Sequence, residues 1–225
     1  IGTVLKSNDP DIRVIGVQPE GAAHAKPSLD RNEIYELDDV DTIAEGIADT
    51  RMLDTTFATA RQVVDDVISV TDRQIAVAVT LLAERTNIVA ESAGAAPLAA
   101  AISDTTSLDL ENQNVVVVIS GGNTNLTDHA ELTRTGLYEL GRYVEARLLV
   151  ANWPKSIANI VETISSAGAE LDALERARQR SSDKPNRTPM IIGLEGSGPK
   201  HLNSVLDKLS GLEGVSISES SFDRH

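Results

Sequence analysis

Val115-Val116-Val117-Val118-Ile119 runs without a break into Ser120-Gly121-Gly122-Asn123. Five consecutive β-branched residues, apolar on both faces, predict a central strand of a sheet covered on both sides. The polar Ser-Gly-Gly-Asn turn then falls where that strand leaves the sheet. In open α/β sheets, ligands bind at the carboxyl ends of the strands. Adjacent glycines permit backbone angles closed to other residues and let a ligand lie against the main chain. The hydroxyl of Ser120 is therefore expected to face something flat or phosphorylated. The competing reading of these four residues alone is an ordinary strand-to-helix turn.

Working outward, 225 residues leave room for one large domain or two small ones, and 41% hydrophobic residues suffice for a packed core. No segment approaches the roughly 20 unbroken apolar residues of a membrane helix, and no basic segment followed by an apolar one marks a secretory signal. Cysteine is absent, which removes disulfides and thiolate metal sites and fits a cytoplasmic protein. Thirty-four acidic residues oppose twenty basic ones, for a net charge of −14. That balance argues against nucleic-acid binding, which needs a positive footprint. The acids are spread along the chain, as in Asp38-Asp39, Asp65-Asp66 and residues 216–223. Excess surface charge of this kind is tolerated best where salt screens it, so a halophilic source is expected. Ile1 is not an initiator, and residues 1–7 read as the last turns of a helix begun upstream, so a fragment of a longer protein is expected.

Along the chain, residues 13–17 and 67–70 read as strands, residues 21–40 as a polar, proline-punctuated loop, and residues 55–64 as a helix. Thr71 followed by Gln74 is a capping-box pattern opening a helix whose apolar positions Ile75, Val79 and Leu82 recur at helical spacing. Glu91-Ser92-Ala93-Gly94 is an interruption, residues 95–102 a helix of small residues, and residues 126–138 a further helix. Strands alternating with helices argue for a parallel α/β sheet. From Gly141 the order changes to strand 144–150, helix 157–167, strand 171–178, strand 189–194, helix 199–209 and strand 215–220, with Gly168 as a helix stop. This is βαββαβ, a ferredoxin-like pattern. The expected organisation is residues 1–140 as one domain and residues 141–225 as a second.

Five segments occur in an order and spacing that resemble a known family. They are Val14-Ile15-Gly16-Val17-Gln18-Pro19-Glu20-Gly21, Thr42-Ile43-Ala44-Glu45-Gly46, Val64-Asp65-Asp66-Val67, Glu91-Ser92-Ala93-Gly94-Ala95 and Val117-Val118-Ile119-Ser120-Gly121-Gly122-Asn123. The chain resembles the threonine ammonia-lyases, also called threonine dehydratases. These are pyridoxal-phosphate enzymes of the tryptophan-synthase β-like fold (fold type II) and relatives of serine racemase. The C-terminal βαββαβ unit resembles the ACT regulatory domain that many of them carry. The resemblance covers essentially the whole chain.

It implies a partial fold-type-II domain followed by an ACT domain, with pyridoxal 5'-phosphate as cofactor. It also implies cofactor contacts at Ser120, Gly121, Gly122 and Asn123, with Glu91 and Gly46 beside the ring. The hydroxyl at Ser120 would meet the pyridine nitrogen; unlike a carboxylate, it does not keep that nitrogen protonated, which favours α,β-elimination over long-lived carbanions. Glu91 has a simpler reading as a carboxylate at a helix N-terminus, favoured by the dipole. The family's cofactor-binding lysine and phosphate-cradling loop lie in an N-terminal half, so no catalytic residue is expected in these 225 residues. Lys6 and Lys26 do not match the lysine motif and read as solvated.

Two departures from the family pattern stand out. Cation-binding relatives use a carboxylate before the proline, a backbone carbonyl and a second acid; here those positions are Gln18, Ala22 and His24. Without two hard carboxylates no metal site is expected, and His24 reads as a loop histidine. The first ACT loop ordinarily carries Asp-x-Pro-Gly, and here reads Asn152-Trp153-Pro154-Lys155, so an amino-acid effector would meet Asn152, Pro154 and Lys155 in an altered loop. Gly193-Leu194-Glu195-Gly196-Ser197-Gly198 lacks the lysine of a phosphate-binding loop and reads as a plain loop.

The resemblance implies conversion of L-threonine to 2-oxobutanoate and ammonia, with serine as a second substrate and a branched-chain amino acid as effector. A homo-oligomer is expected, with neither nucleic acid nor membrane as partner. The alternative is a non-catalytic regulatory or scaffold protein that binds an amino acid through its C-terminal unit, or a serine dehydratase or racemase relative.

Overall fold

The computed structural model describes residues 1–151, 153–177 and 186–224. The chain divides into two compact units, residues 1–136 and 137–225.

The first unit opens with a short helix, α1 (Gly2–Asn8), and continues with β1 (Ile15–Pro19), α2 (Ala25–Arg31), α3 (Asp54–Val63), β2 (Asp66–Val70), α4 (Asp72–Thr86) and α5 (Ser92–Ile102). The division between the units falls within α6 (Leu126–Glu139). β1 and β2 pair in parallel, Ile15 against Asp66 through Pro19 against Val70. The predicted capping box opens α4: Thr71 accepts from the Gln74 backbone N–H at 3.2 Å, and the Gln74 side chain accepts from the Thr71 N–H at 2.8 Å. Ile75, Val79 and Leu82 of α4 then meet Ala95, Ala96 and Ala99 of α5, with Ile68 and Val70 of β2, in one buried cluster. The small side chains of α5 let the two helices approach closely, as the composition of that stretch suggested.

Three expectations are corrected here. Residues 114–119 form no strand among the described residues: β1 and β2 already make up the whole described sheet of this unit, and a ladder needs a neighbour to bond to. Val115, Val116 and Val118 are 46%, 89% and 43% exposed, so the run is not covered on both faces, while Val117 is part-buried and Ile119 packs against the cluster. Second, the loop over residues 21–40 contains α2 and a 3-10 turn, Glu20–Ala22. The Gln18 side chain satisfies the start of α2 by accepting from Ala25 N–H at 2.8 Å and Lys26 N–H at 3.4 Å. Asn32 closes the helix in the left-handed region at φ 54°. Third, α5 begins at Ser92, so the Glu-Ser-Ala-Gly segment is its N-terminus.

The second unit is β3 (Tyr143–Val150), α7 (Trp153–Ser166), β4 (Glu170–Arg176), β5 (Thr188–Glu195), α8 (Pro199–Ser210) and β6 (Val215–Ser220). Its sheet runs β4-β5-β3-β6 with every neighbouring pair antiparallel, the ferredoxin-like arrangement expected from the order of elements. One face carries Leu148 and Ile192 into a core with Ile160 and Ile164 of α7 and Leu202 and Leu209 of α8. The other face holds Tyr143, whose hydroxyl reaches across Gly193 to donate to Asp172 at 2.6 Å. A side chain at 193 would overlap that hydroxyl, so the first glycine of the Gly-rich segment lies inside β5 as a packing position.

Candidate functional site

The Ser-Gly-Gly-Asn turn rests on the N-terminus of α5. Gly121 adopts φ +73°, the left-handed region that a glycine takes without strain. Its carbonyl accepts from the Glu91 backbone N–H at 3.3 Å. At Gly94, in the first turn of α5, an added Cβ would run into the carbonyl oxygen of Ser120. Glycine at that helical position is therefore what lets the turn sit directly on the helix. Gly122 is not in the left-handed region, so only one of the two glycines is conformationally required.

Glu91 occupies the N-cap position of α5, yet its side chain makes no capping hydrogen bond. The carboxylate instead lies against Gly121, so closely that a Cβ there would overlap it. The same carboxylate would stand 3.4 Å from a Cβ at Gly46, and the Ala93 Cβ 3.0 Å from it. Gly46, Glu91 and Gly121, dispersed over 76 sequence positions, are thus brought to one place. Glu91 thus keeps the helix-N-terminal place in which the dipole favours a carboxylate, while its side chain lies against Gly121 and near Gly46.

Gly46, Glu91 and Asn123 line an open cleft of about 630 Å³, which Asp128 and Glu131 of α6 extend. With Glu45, that makes four carboxylates, and no lysine or arginine lines the cleft among the described residues. Ser120, three residues before Asn123, is exposed, and its hydroxyl makes no hydrogen bond among the described residues. A flat ring would have to lie in the open cleft itself, because the room left by Gly121 is taken by the Glu91 carboxylate and that left by Gly94 by the Ser120 carbonyl, while the unbonded Ser120 hydroxyl is available to a ring atom. Among the described residues the lining offers hydroxyls and carboxylates but no amine, imidazole or thiol.

Other sequence candidates fall elsewhere. Lys6 and Lys26 stay at the surface and are also ion-paired there: Lys6 to Asp65 at 2.8 Å and Lys26 to Asp66 at 3.0 Å. These bonds, with backbone donors Val14 and Val67, hold both aspartates below the usual carboxylate range, and the bond to Asp66 raises Lys26. Gln18 spends its side chain on the start of α2 and on Ser69, to which it donates at 3.0 Å. His24 borders a separate cavity of about 380 Å³, where its Nδ1 is buried without a hydrogen-bond partner among the described residues. Burial pushes its imidazole below the ordinary range, with Asp49 partly opposing. Among the described residues, no three acids or histidines are grouped as a metal would require. In the second unit, Asn152 and the side chain of Pro154 lie outside the described residues, while Lys155 is exposed in the first turn of α7. Among the described residues, no helix is long and apolar enough to cross a membrane.

Sequence reasoning missed two groups that build the site. Thr42 and Ile43 are fastened to Asp72, and Ser92 is fastened to Ile43. Ser92 and Thr42 stood within recognised segments, but nothing local marks Asp72 beyond its place one residue after a cap.

Known proteins resemble this chain in sequence and fold. A family model described as pyridoxal-phosphate dependent enzyme matches residues 1–121. The L-threonine ammonia-lyase of Geobacter sulfurreducens is 32% identical over 212 residues, 94% of this chain and 52% of that protein. The threonine deaminase of T.th. superposes with a TM-score of 0.52 at 34% identity, over 56% of this chain and 45% of that one. Maize serine racemase gives 0.53 at 31% identity, over 61% and 43% respectively. The chain spans about half the length of the curated relatives it matches.

Proposed function

The chain belongs to the pyridoxal-phosphate-dependent enzymes, and from that premise we propose that it is the cofactor-ring and regulatory portion of a threonine ammonia-lyase, which converts L-threonine to 2-oxobutanoate and ammonia. The observation that carries this reading is the convergence of Gly46, Glu91 and Gly121 beside an exposed Ser120 hydroxyl. When bound, pyridoxal phosphate supplies the electron sink that makes the Cα–H bond of an amino acid labile. The chain's own residues seat and tune it. Ser120 Oγ would meet the pyridine nitrogen with a neutral hydroxyl, which carries no charge to hold a proton there. Gly121 makes room for the Glu91 carboxylate, whose residue fixes the turn to α5, Gly122 and Asn123 complete the turn, and Gly46 and Asn123 would line the ring's side of the cleft. The four carboxylates of the cleft disfavour a second negative charge on a substrate, which suits a hydroxy amino acid better than an acidic one. The Schiff-base lysine and phosphate loop belong to the part of the relatives outside this chain's span.

For the second unit the proposal is an ACT-like regulatory domain, residues 141–225, binding a branched-chain amino acid and pairing with a second copy. Its support is the βαββαβ order and the β4-β5-β3-β6 sheet. Calorimetry with isoleucine, valine and threonine tests it; no heat from any of them removes the effector role.

For the catalytic reading, the complete protein containing these residues is assayed for cofactor absorbance and for keto acid formed from L-threonine. Substitution of Ser120 by Ala should leave folding intact and weaken cofactor retention about 5- to 10-fold, the scale of one hydrogen bond of ~1 kcal/mol. A complete protein with no cofactor band, or with a band but no keto acid, overturns the assignment.

A further inference from the structure

We infer that Asp72 and Thr42 are positioning residues for the Gly46 side of the cleft, an inference that rests on the cofactor reading above. Asp72, the first residue of α4, lies outside the cleft. Its two carboxylate oxygens hold consecutive residues of the preceding loop: Thr42 Oγ1 donates to one at 2.6 Å, and the Ile43 N–H to the other at 3.1 Å. Thr42 Oγ1 also accepts from the Ala44 N–H at 3.1 Å. From the opposite side, Ser92 Oγ, at the start of α5, donates to the Ile43 carbonyl at 2.5 Å. Both polar groups of Ile43 are therefore satisfied by side chains from two different helix N-termini.

This loop belongs to no sheet, so it has no ladder to hold it. Ala44 is fully buried, and Ile43 packs partly against the same core. A buried peptide group without a partner costs about 1–3 kcal/mol, so the side-chain bonds decide where the segment can lie. The position of Gly46 follows from theirs. The Ile47 N–H donates to the Ala44 carbonyl at 2.9 Å, closing the 3-10 turn Glu45–Ile47 with Gly46 at its centre. That turn faces Ala93 and Glu91. α5, which receives Ser92, also receives the Ser120 turn. The two walls of the slot are thus referenced to one helix end, and Asp72 sets the distance between them. Displacements of about 1 Å in such walls cost on the order of 100-fold in rate.

The test uses the complete protein carrying Asp72→Ala, Thr42→Val and Thr42→Ser. Three quantities are read: emission and dissociation of bound pyridoxal phosphate, kcat and KM for L-threonine, and hydrogen exchange of residues 41–48. Asp72→Ala and Thr42→Val should each lower kcat more than 10-fold with KM changed less than twofold. They should weaken cofactor retention about 5-fold and alter its emission, and speed exchange at residues 43–48 at least 10-fold while β1 and β2 stay protected. Thr42→Ser, which keeps the hydroxyl, should remain within twofold of the parent in all three. Unchanged exchange at residues 43–48 overturns the clamp itself, whatever the cofactor does. Accelerated exchange with parental emission, retention and kcat reduces the clamp to a folding contact and overturns its role in the site. A parent protein that binds no pyridoxal phosphate overturns the cofactor reading, and the positioning role falls with it.

Discussion

His24 is a part-buried histidine whose ring the fold leaves without a full set of partners among the described residues. It stands where the second acid would be, and its Nδ1 is enclosed without a partner among the described residues. Burial favours the neutral imidazole, so its pKa in the fold lies below the ordinary value near 6.5. Between those two values the unfolded chain binds more protons than the folded one. Stability from this group is therefore full above about pH 6.5 and is lost as pH falls through the depressed folded value. One such histidine adds at most ~1.4 kcal/mol per pH unit to the slope. Denaturant unfolding of the protein with His24→Asn should show a flatter dependence from pH 7 to pH 5 than the parent; equal slopes would mean that the ring is solvated. The Asp65 and Asp66 pairs act in a different window. Their lowered carboxylates contribute above about pH 4, and that contribution is lost below it as they protonate. Being substantially exposed, they contribute well under the value of a buried pair.

At the scale of elements, α5 is the part on which the site is built. Its third residue, Gly94, is a helical glycine, and alanine in its place would ordinarily strengthen a helix by nearly 1 kcal/mol. Here the added methyl would meet the Ser120 carbonyl. Gly94→Ala should therefore destabilise the protein by about 1–3 kcal/mol, the cost of overpacking, and weaken cofactor retention by displacing the turn. A rise in melting temperature would show that the turn does not rest on α5. Gly94 also marks the limit of what was legible in the sequence. Local devices could be read: the Thr71/Gln74 capping box, the left-handed glycine at 121 and the βαββαβ order depend on residues a few positions apart. α2 was missed because its N-terminal partner, Gln18, lies on the preceding strand, outside the helix. The run 115–119 was read as a strand because β-branched residues favour one, but a strand exists only with a neighbour to bond. The seat of Glu91 against Gly121, and the grip of Asp72 on Thr42, join elements distant in sequence, and no local pattern signals them.

The whole-molecule charge has a structure that the total conceals. Residues 1–136 carry twenty-two acidic against nine basic residues, a net −13, while residues 137–225 carry twelve against eleven, a net −1. The acids are therefore not spread evenly between the units, although they are dispersed within each. Self-repulsion destabilises a compact state in proportion to its own excess charge, and it is relieved as the screening length shrinks from about 10 Å at 0.1 M salt to about 3 Å at 1 M. Any stabilisation by salt screening is therefore expected in the first unit. Raising potassium chloride from 0.1 to 2 M should slow hydrogen exchange in α4, α5 and β2 at least 10-fold and leave β3, β5 and α8 within about threefold. Sucrose supplies the control, because it strengthens burial by exclusion from the surface without screening charge; it should protect both units alike. Equal protection of both units by potassium chloride would assign the effect to general exclusion, and maximal stability of the first unit in dilute buffer would remove salt adaptation altogether.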